Sequence, residues 1–247
     1  MTGEDPLSCE LSTLHGATIV RTSGVLNVHT YPRLRDILLK CAADQPRAVI
    51  ADLDELKITH DYLTSVFVTV WMRISTWSAV PLIVVPGPAT AALFDHQPAR
   101  RFLTTQPTVL AALEHLHEPP SRQRTELWLP PSPLSVHAAR QFVTDTCHNW
   151  DIGAMTADAV TVASELVANA ARHTHSPARL RLELRSRTLT VAVADDDPRP
   201  APLPQPPDTP GDRRGGLRLI TQLAYICGCS HRQSGGKVTW AVLRMSR

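Results

Sequence analysis

The chain has 247 residues, enough for two small domains that each bury a core. Its net charge is +2, carried unevenly, with 9 basic against 12 acidic residues over 1–120 and 16 against 11 over 121–247. That asymmetry favours two units and is too mild to point to direct nucleic-acid binding. No apolar run approaches the ~20 residues needed to cross a bilayer, and the acidic N-terminus lacks a signal-peptide core, so a cytoplasmic protein with no membrane partner is expected.

Arginine far outnumbers lysine, and alanine and proline are abundant, a bias that suggests a high-GC genome such as an actinobacterial one. The five cysteines, Cys9, Cys41, Cys147, Cys227 and Cys229, are odd in number and lack a framework spacing, so free thiols in a reducing compartment are expected.

In chain order, Leu7 to Leu14 and Ala17 to Thr22 read as short strands, with Ser23-Gly24 turning out of the second. Pro32 opens a helix whose Leu34, Ile37, Leu38 and Cys41 share a face. Ala48 to Leu53 and Leu82 to Val85 are short apolar runs bounded by turn signals, which fits buried central strands. Between them a long helix is expected from about Tyr62 to Trp77, and two short helical stretches, Ala89 to Phe94 and Val109 to His117, follow. Strands alternating with helices imply a small α/β unit over 1–118. A Pro-rich polar stretch without periodicity, 119–125, reads as a linker to a second unit over 126–247.

In the second unit, Arg124 to Leu129 can enter as a strand, and Val136, Ala139, Phe142, Val143 and Cys147 mark a helix. The most informative stretch comes next, Ser164-Glu165-Leu166-Val167-Ala168-Asn169-Ala170-Ala171-Arg172-His173. Ala159, Val162, Ala163, Leu166 and Ala170 recur at steps of three and four and form the buried stripe of a helix from about Thr156 to Thr174. Glu165, Asn169 and His173 line a neighbouring stripe, and Arg172 projects near its edge. Asn169 offers a hard oxygen to Mg²⁺, Glu165 a base one turn away, and Arg172 a charge for phosphate; the plainer reading is a half-exposed helix with ordinary polar residues.

Arg179 to Arg185 and Leu189 to Ala194 alternate like paired strands, the second running into Asp195-Asp196-Asp197-Pro198. A loop with seven prolines between Pro198 and Asp212 precedes Arg213-Arg214-Gly215-Gly216-Leu217, expected to open a helix near Leu217. Gly235-Gly236-Lys237 turns into a final strand that contains Thr239 and Trp240.

This order of motifs from about Arg124 to Arg247 resembles the GHKL, or Bergerat-type, ATP-binding domain of histidine kinases and gyrase. Within that superfamily it looks most like the anti-sigma-factor serine kinases. The resemblance implies a C-terminal α/β sandwich that binds ATP and Mg²⁺, with Glu165 as general base and Asn169 as metal ligand. Asp195 would accept the adenine amine, Thr239 would lie near adenine, and Arg172 and His173 would border the phosphates. Arg213, Arg214, Gly215, Gly216 and Leu217 would cradle the phosphates, although Arg214 stands where the family has the first glycine of Gly-x-Gly.

The first unit is similar to the STAS domain of anti-sigma-factor antagonists, through the Ser23-Gly24 turn, the Asp52-Leu53 strand end and Val84-Val85-Pro86-Gly87-Pro88. Where that family carries an Asp-Ser-Ser-Gly type motif, this chain has His60-Asp61-Tyr62, without the phosphoacceptor serine. The two resemblances together imply an anti-sigma factor and serine/threonine protein kinase of a bacterial partner-switching system. Its partners would be a sigma factor, a STAS-domain antagonist, or a second copy in a homodimer. The alternative is a catalytically inactive, nucleotide-sensing or purely protein-binding module that sequesters the same partners.

Overall fold

The computed structural model describes residues 6–95, 102–116, 122–199 and 215–245. The chain divides into two compact units, Met1–Pro119 and Pro120–Arg247, each with its own sheet.

In the first unit, strands β1 (Ser8–Leu14), β2 (Ala17–Leu26), β3 (Val49–Ile58), β4 (Leu82–Pro86) and β5 (Thr104–Thr105) form one five-stranded sheet in sequence order. β1 and β2 are an antiparallel hairpin, and the remaining pairings are parallel. Helices α1 (Tyr31–Ala43) and α2 (Ser65–Trp77) cover one face, where Leu34, Leu38, Phe67, Val70 and Ile74 pack on Val20, Val49, Ala51 and Val84. Ile19, Ile50, Ile83 and Val85 point the other way, onto Ala112 and Leu113 of α4 (Val109–His115). A short helix α3 (Ala91–Asp95) lies between β4 and β5. Cover on both faces is why the β3 sequence begins as an unbroken apolar run.

Two expectations are corrected here. The chain does not turn out at Ser23-Gly24: β2 continues to Leu26, and the irregularity is a register shift between Arg21 and Ser23 on the pairing with β3. The Thr22 hydroxyl donates to the Asp52 carbonyl at 2.8 Å and fastens the two strands there. The helix expected from Tyr62 opens instead as a 3-10 turn over Asp61–Thr64, in which the Thr64 hydroxyl donates to the Asp61 carbonyl at 2.7 Å, and α2 proper starts at Ser65.

In the second unit, β6 (Gln123–Leu129), β7 (Ala178–Arg185), β8 (Thr188–Asp195), β9 (Ile226–His231) and β10 (Lys237–Arg244) form an antiparallel sheet in the order β6-β7-β8-β10-β9. Helices α5 (Ser135–Asn149) and α6 (Thr156–His173) pack on one face, with α7 (Gly215–Leu223) against α6 and β9. The core joins Leu180, Leu182, Leu189, Val191, Val193, Ala241 and Leu243 of the sheet to Ala159, Val162, Ala163, Leu166, Val167 and Ala170 of α6. The small residues in that helical stripe let α6 lie close to the strands.

The opposite face of the sheet carries charge. Glu126 pairs with both Arg124 and Arg179, and Arg122 lies 3.6 Å from the fully buried Glu183. Burial also lowers the proton affinity of Arg181, which is opposed by the nearby Glu183 carboxylate. On the same face Gly228 stands opposite Trp240 in the β9–β10 ladder. A Cβ at Gly228 would lie 2.5 Å from the Trp240 ring, so the indole rests directly on the glycine backbone. Gly228→Ala should therefore destabilise the protein by about 1–3 kcal/mol through overpacking. Gly153→Ala, where a Cβ meets nothing within 4 Å, is the control. Chemical denaturation of both variants checks this, and equal midpoints would show that Trp240 moves aside without cost.

Candidate nucleotide-binding site

Helix α6 supplies the first half of the site. Its apolar stripe is fully engaged with the sheet, which leaves Glu165 half-buried and Asn169 6% exposed on the adjoining stripe. Four residues apart, they stand roughly 6 Å apart along the axis. Among the described residues no side-chain hydrogen bond holds the Asn169 carboxamide. A nearly buried amide with an uncommitted oxygen fits the hard-donor requirement of Mg²⁺. Asp158 in the first turn of α6, and Arg172 and His173 in the last, each sit at the end of the helix dipole that favours their charge.

Arg172 and His173 are both exposed, and the Arg172 side chain turns back to donate from Nε to the Ala168 carbonyl at 3.2 Å. Arg140 of α5, which the sequence did not single out, donates from Nε to the Ser164 hydroxyl at 2.9 Å. That hydroxyl in turn donates to the Val160 carbonyl at 2.7 Å. The bond ties α5 to α6 at the residue next to Glu165.

Strands β8 and β10, on which α6 packs, supply the second half. Asp195 ends β8 with its Cα in register with Lys237, the first residue of β10. Both are almost fully buried, at 2% and 1% exposure. The Lys237 ammonium donates to Asp195 Oδ1 at 2.8 Å and to the Asp197 carbonyl at 3.2 Å, and lies 3.2 Å from Asp197 Oδ2. The Asp197 amide also donates to Asp195 Oδ1, at 3.0 Å.

Asp197 is buried and charge-compensated. Arg199 donates to it from Nε at 2.9 Å and from its backbone amide at 3.1 Å. With Lys237 on its other side, these bonds hold the Asp197 carboxyl well below the usual carboxylate range. Asp196 points away, with its side chain 65% exposed and 4.0 Å from Arg232.

Gly236 makes this arrangement accessible. It has φ +71°, and a Cβ there would stand 2.1 Å from the Asp195 carbonyl oxygen. Only a glycine lets the turn between β9 and β10 close over the end of β8 and seat Lys237. Two residues further along the same face, Thr239 is 6% exposed, and its hydroxyl lies 3.9 Å from Cys229 Sγ.

Among the described residues, helix α7 spans Gly215–Leu223, so Gly215 and Gly216 belong to the helix. The first amides of a helix lack intrahelical partners, which suits an anion. Arg213 and Arg214 lie outside the described residues.

Lys237 is the residue that sequence reasoning missed, since Gly-Gly-Lys reads first as a hairpin turn. Strand parity was the available signal. Lys237, Thr239, Ala241 and Leu243 alternate on the inward face, so the strand pattern places a lysine on the face where the motif places an aspartate.

Comparison with known proteins adds a likeness over the second unit. Residues 129–243 match the family model of the histidine kinase-like ATPase domain. A search of curated proteins returned no match. Among solved structures, the chain is similar to an anti-sigma factor antagonist from Mycobacterium paratuberculosis, at 18% identity and a TM-score of 0.41, covering 48% of this chain and 100% of that one. It is also similar to the anti-sigma factor antagonist SpoIIAA in its unphosphorylated form, at 14% identity and a TM-score of 0.36, covering 44% of this chain and 96% of that one. For the phosphorylated form of the Bacillus cell fate determinant SpoIIAA the values are 13% and 0.35, covering 44% and 100%. Over residues 129–243, then, the chain is similar to the histidine kinase-like ATPase domain.

Proposed function

We propose that this protein is an ATP-binding regulator of a bacterial partner-switching system, acting as an anti-sigma factor and as a serine/threonine kinase of a STAS-domain partner. The observation that carries the reading is the Glu165–Asn169 pair. These residues stand one turn apart on the helix that packs on β8 and β10, and Asp195 ends β8. The site lies within the residues that match the histidine kinase-like ATPase domain.

In this reading the Asn169 carboxamide oxygen holds Mg²⁺, Asp195 accepts from the exocyclic amine of adenine, and the α7 N-terminus faces the phosphates. When bound, Mg²⁺ supplies charge neutralisation across the phosphate oxygens. Glu165 accepts the proton of a serine or threonine hydroxyl presented by the partner, and its half-buried position keeps it accessible to that hydroxyl. Arg140 fixes the turn beside Glu165 through Ser164. A sigma factor and the STAS partner would compete for the same unit.

The altered glycine motif, with Arg214 at the position of a glycine, favours a second reading in which the unit binds nucleotide without transferring phosphate. Isothermal titration and a phosphoryl-transfer assay with candidate STAS partners separate the two. Saturable Mg-ATP binding with transfer supports the kinase, binding without transfer supports the sequestering module, and no binding defeats both nucleotide readings.

Asp195→Asn should weaken ATP binding by about tenfold or more, since it removes the acceptor for the amine and one partner of a buried lysine. Unchanged affinity would remove Asp195 from the site. Glu165→Gln should abolish transfer while leaving ATP affinity within about threefold, because a base acts in the transition state. Equal loss of both would make Glu165 structural.

The first unit should not be a substrate of the second. The Thr59 hydroxyl is donated to the Leu26 carbonyl at 3.2 Å, and that of Thr64, a residue 1% exposed, to the Asp61 carbonyl at 2.7 Å. Mass spectrometry after incubation with Mg-ATP should find no phosphate on either threonine. Stoichiometric phosphate on one of them would make the chain its own switch.

A further inference from the structure

Asp195 has a permanent companion. Its Oδ1 already accepts two hydrogen bonds, from Lys237 Nζ at 2.8 Å and from the Asp197 amide at 3.0 Å. Lys237 is equally committed. Its three N–H groups have three acceptors within reach, Asp195 Oδ1, Asp197 Oδ2 and the Asp197 carbonyl, and its side chain is 2% exposed. Two carboxylates are thus balanced by Lys237 on the inside and Arg199 on the outside.

This arrangement restricts what Asp195 can read. A free carboxylate can accept from two donors side by side, one on each oxygen, and guanine offers such a pair in its N1–H and 2-amine. A carboxylate whose Oδ1 is filled cannot make that clamp, nor can it rotate to present a fresh edge, because Lys237 and the Asp197 amide fix its plane. A single amine, such as the 6-amine of adenine, needs only Oδ2. A site with a fixed polar complement rejects the base that leaves its groups unpaired.

Building on the nucleotide-site reading above, we propose that Lys237 is a specificity-determining residue: by pinning Asp195 Oδ1 and Asp197 into one charge-balanced unit, it leaves a single acceptor for a 6-aminopurine and excludes guanine. Lys237 itself does not touch the base. It acts through Asp195 and is a positioning residue.

The test measures ATP, GTP and ITP binding to the full-length protein by competition. Wild type should prefer ATP over both others by about tenfold or more, and should bind GTP and ITP within about threefold of each other, because the 2-amine of guanine has no acceptor to meet. Lys237→Met alone would leave the two buried carboxylates with only Arg199 to balance them and risks unfolding. The informative variant is therefore Lys237→Met with Asp197→Asn, which removes one charge of each sign. It should gain GTP relative to ATP by about tenfold, while Lys237→Arg keeps the wild-type ratio.

A folded double variant with an unchanged ratio overturns the inference and leaves the nucleotide reading standing. If the double variant does not fold, wild type still decides, because GTP binding tenfold tighter than ITP would show that Oδ1 is open to the 2-amine. Wild type that binds no nucleotide overturns the underlying reading, and this inference with it.

Discussion

The second unit depends on how closely α6 can approach the sheet. Ala159, Ala163 and Ala170 share the helix stripe with Val162 and Leu166, and together they join Leu189, Val191, Val193, Ala241 and Leu243 in one buried cluster. That contact fixes the rotation of α6 about its own axis. Once the rotation is fixed, the adjoining stripe has one place to go, and Glu165 and Asn169 are carried to the boundary between core and surface. The positions of the polar residues follow from apolar packing, which supplies most of the free energy of such a unit.

The end of β8 is held electrostatically. Asp195, Asp197 and Lys237 are buried together, and a buried ion group is costly unless each member has its partners. Here every N–H of the lysine finds an oxygen, so the group survives burial. The same saturation makes the geometry at the end of β8 rigid. If Asp195 meets a base as proposed, a rigid acceptor is what discrimination between similar bases would require.

Much of the fold could be read in the sequence, for identifiable reasons. The presence of α5 and the approximate bounds of α6, β7 and β8 follow from clean apolar periodicity, and α1 from a proline at its start and a stripe containing Leu34 and Leu38. What escaped was set by tertiary pairing. Ser23-Gly24 has the composition of a turn, yet β3 runs alongside and keeps the strand going to Leu26. Thr104–Thr105 is a strand only because Ile83 and Val84 pair with it, and two residues carry no period. Ile226–His231, with its Cys-Gly-Cys, lacks alternation because it lies at the sheet edge with Gly228 under an indole. In the candidate site, Glu165 and Asn169 could be placed on one helix because their spacing is local. Lys237 could not be recognised, because its role depends on a residue 42 positions away.

The corner formed by Asp195, Asp197, Gly236 and Lys237 also has a history built into it. A drifting sequence cannot replace the lysine while both carboxylates remain buried, cannot exchange the glycine without pushing a methyl group into the Asp195 carbonyl, and gains nothing from losing one acid alone. Single substitutions here cost stability that a concerted double or triple exchange would retain. Lineages descended from this chain should therefore keep the quartet intact or change it in concerted steps, while the exposed Asp196 between the two buried acids is free to vary.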